Sequence, residues 1–83
     1  IIMKVEITMP ALRPEMKSGV LCTWCVKPGD EVKSGDVLFE VETDKVVSEI
    51  EAMHDMKIVS LEAEEGDDVP VGQVVAYAEA DGE

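Results

Sequence analysis

The two halves of this chain are copies of one another, and that repeat limits the folds open to it. Gly29-Asp30-Glu31-Val32 returns as Gly66-Asp67-Asp68-Val69, an offset of 37 residues (66 − 29 = 37). The same offset carries Gly35 onto Gly72 and Val37-Leu38 onto Val74-Val75. Upstream it aligns Leu21-Cys22-Thr23-Trp24 with Ile58-Val59-Ser60-Leu61. Two copies are too few for a solenoid, whose repeats each need stacked neighbours. A chain of 83 residues holds one small domain. The repeat therefore predicts a single core with approximate two-fold symmetry.

Each half reads as strand, Gly-Asp turn, short strand, Gly turn, strand. Glycine supplies positive φ in a tight turn without a Cβ penalty. The following Asp can accept from nearby backbone N–H groups. Pro28, before the first Gly-Asp, pre-sets φ for its turn. Period-two patterns fill the intervals. Val37, Phe39 and Val41 alternate with Leu38, Glu40 and Glu42. Val47, Glu49 and Glu51 alternate with Val46, Ser48 and Ile50, and Val5 and Ile7 alternate with Glu6 and Thr8. No segment sustains the 3.6-residue stripe of a helix. The expected fold is all-β: two small sheets packed face to face, or a flattened barrel.

Charge and composition exclude several function classes. The formal net charge is −12, from 19 acidic and 7 basic residues. Nucleic acid and anionic membrane surfaces both call for a basic face. Aromatics are 4% of the chain, too few for base-stacking recognition. No apolar run approaches the roughly 18 to 20 residues of a membrane span, and no secretory signal pattern is present. An acidic surface favours encounter with basic docking faces. The first residues are Ile1-Ile2-Met3, so the expectation is one domain over residues 1–83, cut or processed from a longer chain.

Cys22 and Cys25 have the Cys-x-x-Cys spacing of redox and metal motifs. Such a motif normally opens a helix, where the N-terminus lowers a thiol pKa. Here it lies in a predicted strand over 20–26, whose alternation would turn one thiol inward and the other outward. Free thiols in a reducing compartment are the expectation. His54 has no second histidine or suitably placed cysteine to complete a metal set. Ser18, Ser34, Ser48 and Ser60 have no base partner that would mark a nucleophile.

One lysine stands apart. Lys45, in Glu42-Thr43-Asp44-Lys45, falls between two predicted strands. A lysine at a hairpin tip presents a primary amine that a partner enzyme can acylate. The domain then catalyses nothing itself and serves as a handle for a covalently attached cofactor. By the offset, this tetrapeptide lies opposite Glu79-Ala80-Asp81-Gly82, so the lysine turn and the chain ends are expected at opposite ends of the domain.

Several stretches carry a resemblance to a known family. They are Thr8-Met9-Pro10-Ala11-Leu12, Trp24-Cys25-Val26-Lys27-Pro28-Gly29-Asp30, Gly35-Asp36-Val37-Leu38 and Glu40-Val41-Glu42-Thr43-Asp44-Lys45. Glu49-Ile50-Glu51-Ala52 and Glu65-Gly66-Asp67-Asp68-Val69-Pro70-Val71-Gly72 complete the set. Together they span nearly the whole chain, which resembles the lipoyl domains of 2-oxo acid dehydrogenase complexes, in particular those of the acyltransferase component. The resemblance implies a flattened barrel or sandwich of two four-stranded antiparallel sheets. It implies lipoic acid in amide linkage on Lys45, with Thr43, Asp44 and Val46 shaping the turn and its recognition. The implied partners are a thiamine-dependent 2-oxo acid dehydrogenase, a dihydrolipoyl dehydrogenase, and a lipoate–protein ligase or lipoyl transferase. The parent chain would be a dihydrolipoamide acyltransferase, and the isolated domain a monomer. The implied compartment is the bacterial or archaeal cytoplasm, or the mitochondrial matrix.

Three features depart from the family pattern. Val46 replaces the alanine that commonly follows the lysine. Met56 stands where many members have glycine, opposite Gly19 in the repeat, and would be strained if that backbone needs positive φ. Cys22 and Cys25 are not family features. Two alternatives stay open. A biotinyl carrier shares the fold, but typically places Met on both sides of its lysine, where this chain has Asp44 and Val46. Met53 and Met56 are too far along for that part and are expected in the core or a loop. The other alternative is an unmodified interaction module. Glu42, Glu49 and Glu51 are as consistent with a structural role as with a field read by partners.

Overall fold

The computed structural model describes residues 1–44 and 46–81. They form eight strands: β1 (Ile2–Thr8), β2 (Ser18–Trp24), β3 (Glu31–Val32), β4 (Val37–Thr43), β5 (Val46–Glu51), β6 (Met56–Leu61), β7 (Asp68–Pro70) and β8 (Val74–Asp81). Two four-stranded sheets result, ordered β1-β8-β6-β3 and β5-β4-β2-β7. Every pairing is antiparallel. The architecture is an all-β sandwich rather than a closed barrel.

The two-fold relation is exact in topology. The offset carries β2, β3 and β4 onto β6, β7 and β8, and it converts one sheet order into the other, with β1 and β5 as the matching edge strands. Each sheet borrows its short strand from the opposite half. Backbone hydrogen bonds are exchanged in the same way. Gly29 N donates to Ile58 O at 2.7 Å, and Gly66 N donates to Leu21 O at 2.7 Å. Ile58 N returns to Asp30 O at 2.8 Å and Leu21 N to Asp67 O at 2.9 Å. Neither half can complete its sheet alone, because its third strand belongs to the other.

The turns behave as their chemistry demands. Gly29 and Gly66 have φ of 95° and 96°, the left-handed values a type II turn needs at its third position. Asp30 and Asp67 close these turns from the side chain, accepting from Lys27 N and Glu64 N at 2.9 Å each. Asp36 does the same for Lys33 N at 2.9 Å. The aspartates thus satisfy backbone donors that the strands leave free.

The core lies between the sheets. Leu21, Phe39 and Val41 from one, and Ile58, Val75 and Ala78 from the other, are fully buried. The Phe39 ring sits 5.1 Å from that of Trp24, tilted by 57°, a favourable aromatic geometry. Trp24 Nε1 donates to Ala63 O at 2.9 Å, so the indole packs without an orphaned donor.

Three expectations are corrected. Strict alternation fails in β4, where Leu38 and Phe39 are both buried. A register shift between Val37 and Phe39 inserts a bulge that turns both side chains inward. β8 repeats the pattern at Val75 and Ala76. Neither cysteine belongs to the buried core: Cys22 is half-buried and Cys25 exposed. β2 is irregular between Leu21 and Thr23 and ends at Trp24, so the predicted strand over 20–26 is too long and the two thiols do not alternate as predicted. Met56 carries no backbone strain, since among the described residues Asp44 is the only non-glycine with positive φ. Gly19 is not in that region either. It is small for lack of space: a Cβ there would lie 2.7 Å from Val41 Cγ1 and 2.8 Å from Met16 Cε. The residue equivalent to Val41 is the smaller Ala78, which accounts for a buried methionine at 56 where its counterpart is glycine. Met53 is exposed in the connection between β5 and β6, a loop position as expected.

Candidate functional site

Lys45 lies outside the described residues, and its neighbours on both sides lie within them. β4 and β5 pair from Val37↔Glu51 to Thr43↔Val46, the two residues flanking 44 and 45. A two-residue connection between antiparallel strands favours positive φ at its first position. Asp44 supplies it, at φ 45°, a conformation aspartate tolerates because its short side chain can bond locally. β2 accompanies β4 only as far as Val20↔Glu42, so the Thr43↔Val46 pair stands beyond the last β2 pairing.

Thr43 is half-buried, Asp44 is exposed and Val46 is 59% exposed. Val47 is exposed as well, against the half-buried alternation expected for β5. β5 is an edge strand, and its end by the turn lies past the sandwich core, so both valines meet solvent.

The carboxylates singled out from sequence spread along this sheet. Glu42 lies opposite Val47, Glu51 opposite Val37, and Glu49 directly opposite Glu40. Like charges facing across strands repel. Their field reaches Cys25, whose thiol is pushed up from its ordinary pKa by partial desolvation first, then by Glu40, Glu49 and Glu65. A raised pKa opposes the thiolate that redox or metal chemistry requires. Among the described residues no group of three His, Cys, Asp or Glu side chains is placed to hold a metal ion. His54 is exposed in the connection after β5.

Sequence reading missed Arg13. It starts a turn, Arg13-Pro14-Glu15-Met16, closed by Met16 N donating to Arg13 O at 3.0 Å. Proline at the second position suits such a turn. The segment is pinned from below by Met9 and Met16, both buried. Met9 also exchanges backbone bonds with the β7–β8 turn, to Gln73 O at 3.0 Å and from Gly72 N at 2.9 Å. Arg13 Nη2 then reaches Asp44 Oδ2 at 2.5 Å, across 31 residues of chain. Glu15 Oε1 lies 3.8 Å from Arg13 Nε. The hydrogen bond and charge of Asp44 raise the Arg13 pKa further above its usual value. Leu12, Arg13, Thr43, Asp44, Val46 and Ser48 line a groove of about 210 Å³ between this segment and the hairpin. The Thr8–Leu12 stretch marks the segment in the sequence, but no local pattern ties residue 13 to residue 44.

A family model covering biotin and lipoyl attachment domains, described as "Biotin-requiring enzyme", matches residues 5–77. The chain is 45% identical over 82 residues, 98% of its length, to the dihydrolipoyllysine-residue acetyltransferase component of the pyruvate dehydrogenase complex of Rhizobium meliloti (strain 1021). It is equally similar, 45% over 82 residues, to the pyruvate dehydrogenase E1 component subunit beta of the same organism. The chain spans 18% of each of these relatives, about a fifth of their length. The lipoyl domain of the 2-oxoglutarate dehydrogenase complex from Azotobacter vinelandii superposes with a TM-score of 0.77 at 33% identity, covering 94% of this chain and 99% of that one. The chain belongs to the biotin- and lipoyl-attachment family, as a domain of the lipoyl type.

Proposed function

We propose that Lys45 accepts lipoic acid in amide linkage and that the domain carries this arm between the active sites of a 2-oxo acid dehydrogenase complex. What supports the reading is the pairing of Thr43 with Val46 on either side of position 45, with Asp44 and Val46 exposed, in a chain similar to lipoyl domains over nearly its full length. A covalent arm asks little of the protein: an accessible amine on a turn of defined position. The neighbours of residue 45 fit that demand. When attached, the lipoyl dithiolane supplies redox and acyl-carrying chemistry, while the protein supplies position and recognition.

The residues divide the task. Lysine offers a flexible stem ending in a compact amine. Acylation removes its charge, so the arm enters buried active sites without a desolvated ammonium. Tethering makes each visit intramolecular, at a high effective concentration. Asp44 and Thr43 form the turn, and Val46 adds an apolar contact where alanine is usual. The partners in this reading are a thiamine-dependent dehydrogenase, a dihydrolipoyl dehydrogenase and a lipoate–protein ligase. The parent is a dihydrolipoamide acyltransferase, of bacterial cytoplasm or mitochondrial matrix, although the similarity to an E1 beta subunit shows that such domains also occur in other components. The isolated domain is monomeric.

Intact-mass analysis tests this reading against its rivals. Mass gain after incubation with lipoate–protein ligase, abolished by Lys45→Arg, is the expected result. Gain only with biotin–protein ligase would make the domain a biotinyl carrier. No gain with either enzyme would leave an unmodified interaction module.

A further inference from the structure

We propose that Arg13 is a positioning residue for modification at residue 45. Its guanidinium fastens the β1–β2 segment to Asp44, and so holds the β4–β5 turn in the geometry a modifying enzyme reads. The proposal rests on Lys45 being the acceptor described above.

Four observations carry it. First, Arg13 is anchored from beneath: Met9 and Met16 are buried and the Arg13–Met16 turn is closed by its backbone bond. The arginine therefore projects from a fixed base. Second, Arg13 Nη2 meets Asp44 Oδ2 at 2.5 Å. Among the described residues this is the only side-chain ion pair joining two separate segments of the chain. Third, Asp44 is the residue with the left-handed φ of 45°, where a non-glycine turn gains from an outside restraint. Fourth, Arg13 lines the grooves on both sides of the turn, one with Leu12 and Val46, the other with Lys17, Glu42 and Asp68. It is the element those two surfaces share with Thr43 and Asp44. Many exposed ion pairs contribute nothing measurable, so the role must be demonstrated through the turn itself.

The test uses the 83-residue domain and four variants: Arg13→Ala, Arg13→Lys, Asp44→Asn and the Arg13→Ala/Asp44→Asn pair. Asparagine keeps the turn, since it too tolerates positive φ. Initial rates with lipoate–protein ligase are measured against domain concentration at low and high salt. Arg13→Ala is expected to raise KM about three- to fivefold, the upper end for an exposed pair, with kcat unchanged. Arg13→Lys recovers part of the loss, because lysine keeps the charge without the planar fork. The double variant is no worse than Arg13→Ala alone, and added salt narrows the gap to wild type. Hydrogen exchange at the Val46 amide, which pairs with Thr43 across the turn, provides a readout independent of the ligase, and Arg13→Ala is expected to speed it by a similar factor. Unchanged KM in Arg13→Ala, or additive losses in the double variant, would overturn the proposal. So would unchanged amide exchange, even if the wild-type domain accepted no lipoyl group. Failure of wild type to be modified while exchange responds would instead defeat the assignment of Lys45.

Discussion

Gly19→Ala probes the packing that carries the β1–β2 segment to the hairpin. The new Cβ would sit 2.7 Å from Val41 Cγ1 and 2.8 Å from Met16 Cε. Non-bonded carbons rest at about 3.5–4.0 Å, so each contact is short by about 1 Å. The two neighbours differ in how they yield. Met16 Cε is the end of a flexible side chain and can swing aside. Val41 is β-branched and fully buried, with little rotamer freedom. Overpacking of this kind costs about 1–3 kcal/mol. Alanine also restricts the unfolded chain, which returns about 0.4–1 kcal/mol where φ is compatible. The net expectation is a loss of about 1–2 kcal/mol, or roughly 5–15 °C in Tm for a domain this size. Urea and thermal denaturation followed by circular dichroism measure it directly. Val41→Ala removes the clashing methyl, so Gly19→Ala should cost distinctly less in that background, a coupling that a double-mutant cycle reads. A Gly19→Ala domain as stable as wild type, or a cycle showing no coupling, would refute the steric account of Gly19.

Two other perturbations separate related causes. Gly66→Ala should destabilise by about 1–2 kcal/mol through backbone strain alone, because Gly66 has φ +96° and a Cβ would meet nothing within 4 Å; Val41→Ala should leave this loss unchanged in urea denaturation. Alkylation of Cys25, followed against pH in a Cys22→Ser background, should have its midpoint above the ordinary cysteine range, in keeping with partial desolvation and the charges of Glu40, Glu49 and Glu65. Glu49→Gln should bring that midpoint down, and an unmoved midpoint would remove the glutamate from the account.

Much of the fold is legible because its signals are local. The Gly-Asp pairs specify turns by backbone freedom and a short acceptor side chain, and the turns at Gly29 and Gly66 form as read. Alternation located β1, β4 and β5, and the repeat offset located β6 and β8. Alternation failed at Leu38 and at β2 because a bulge is settled by pairing with a neighbouring strand, which period-two counting does not contain. The comparison of Met56 with Gly19 failed for a related reason. Repeat alignment pairs positions, but the space at each is set by a third residue, Val41 in one half and Ala78 in the other.

By itself, the sequence determined the doubled topology, the turn chemistry and the residues to watch around position 45, since these are written in spacing and residue type. Only the tertiary structure decided that each half lends its short strand to the other and that Cys25 is exposed beside glutamates. It alone brought Arg13 to Asp44 across 31 residues of chain. Such contacts depend on where distant segments arrive once the core has closed, and no periodicity along the chain encodes that.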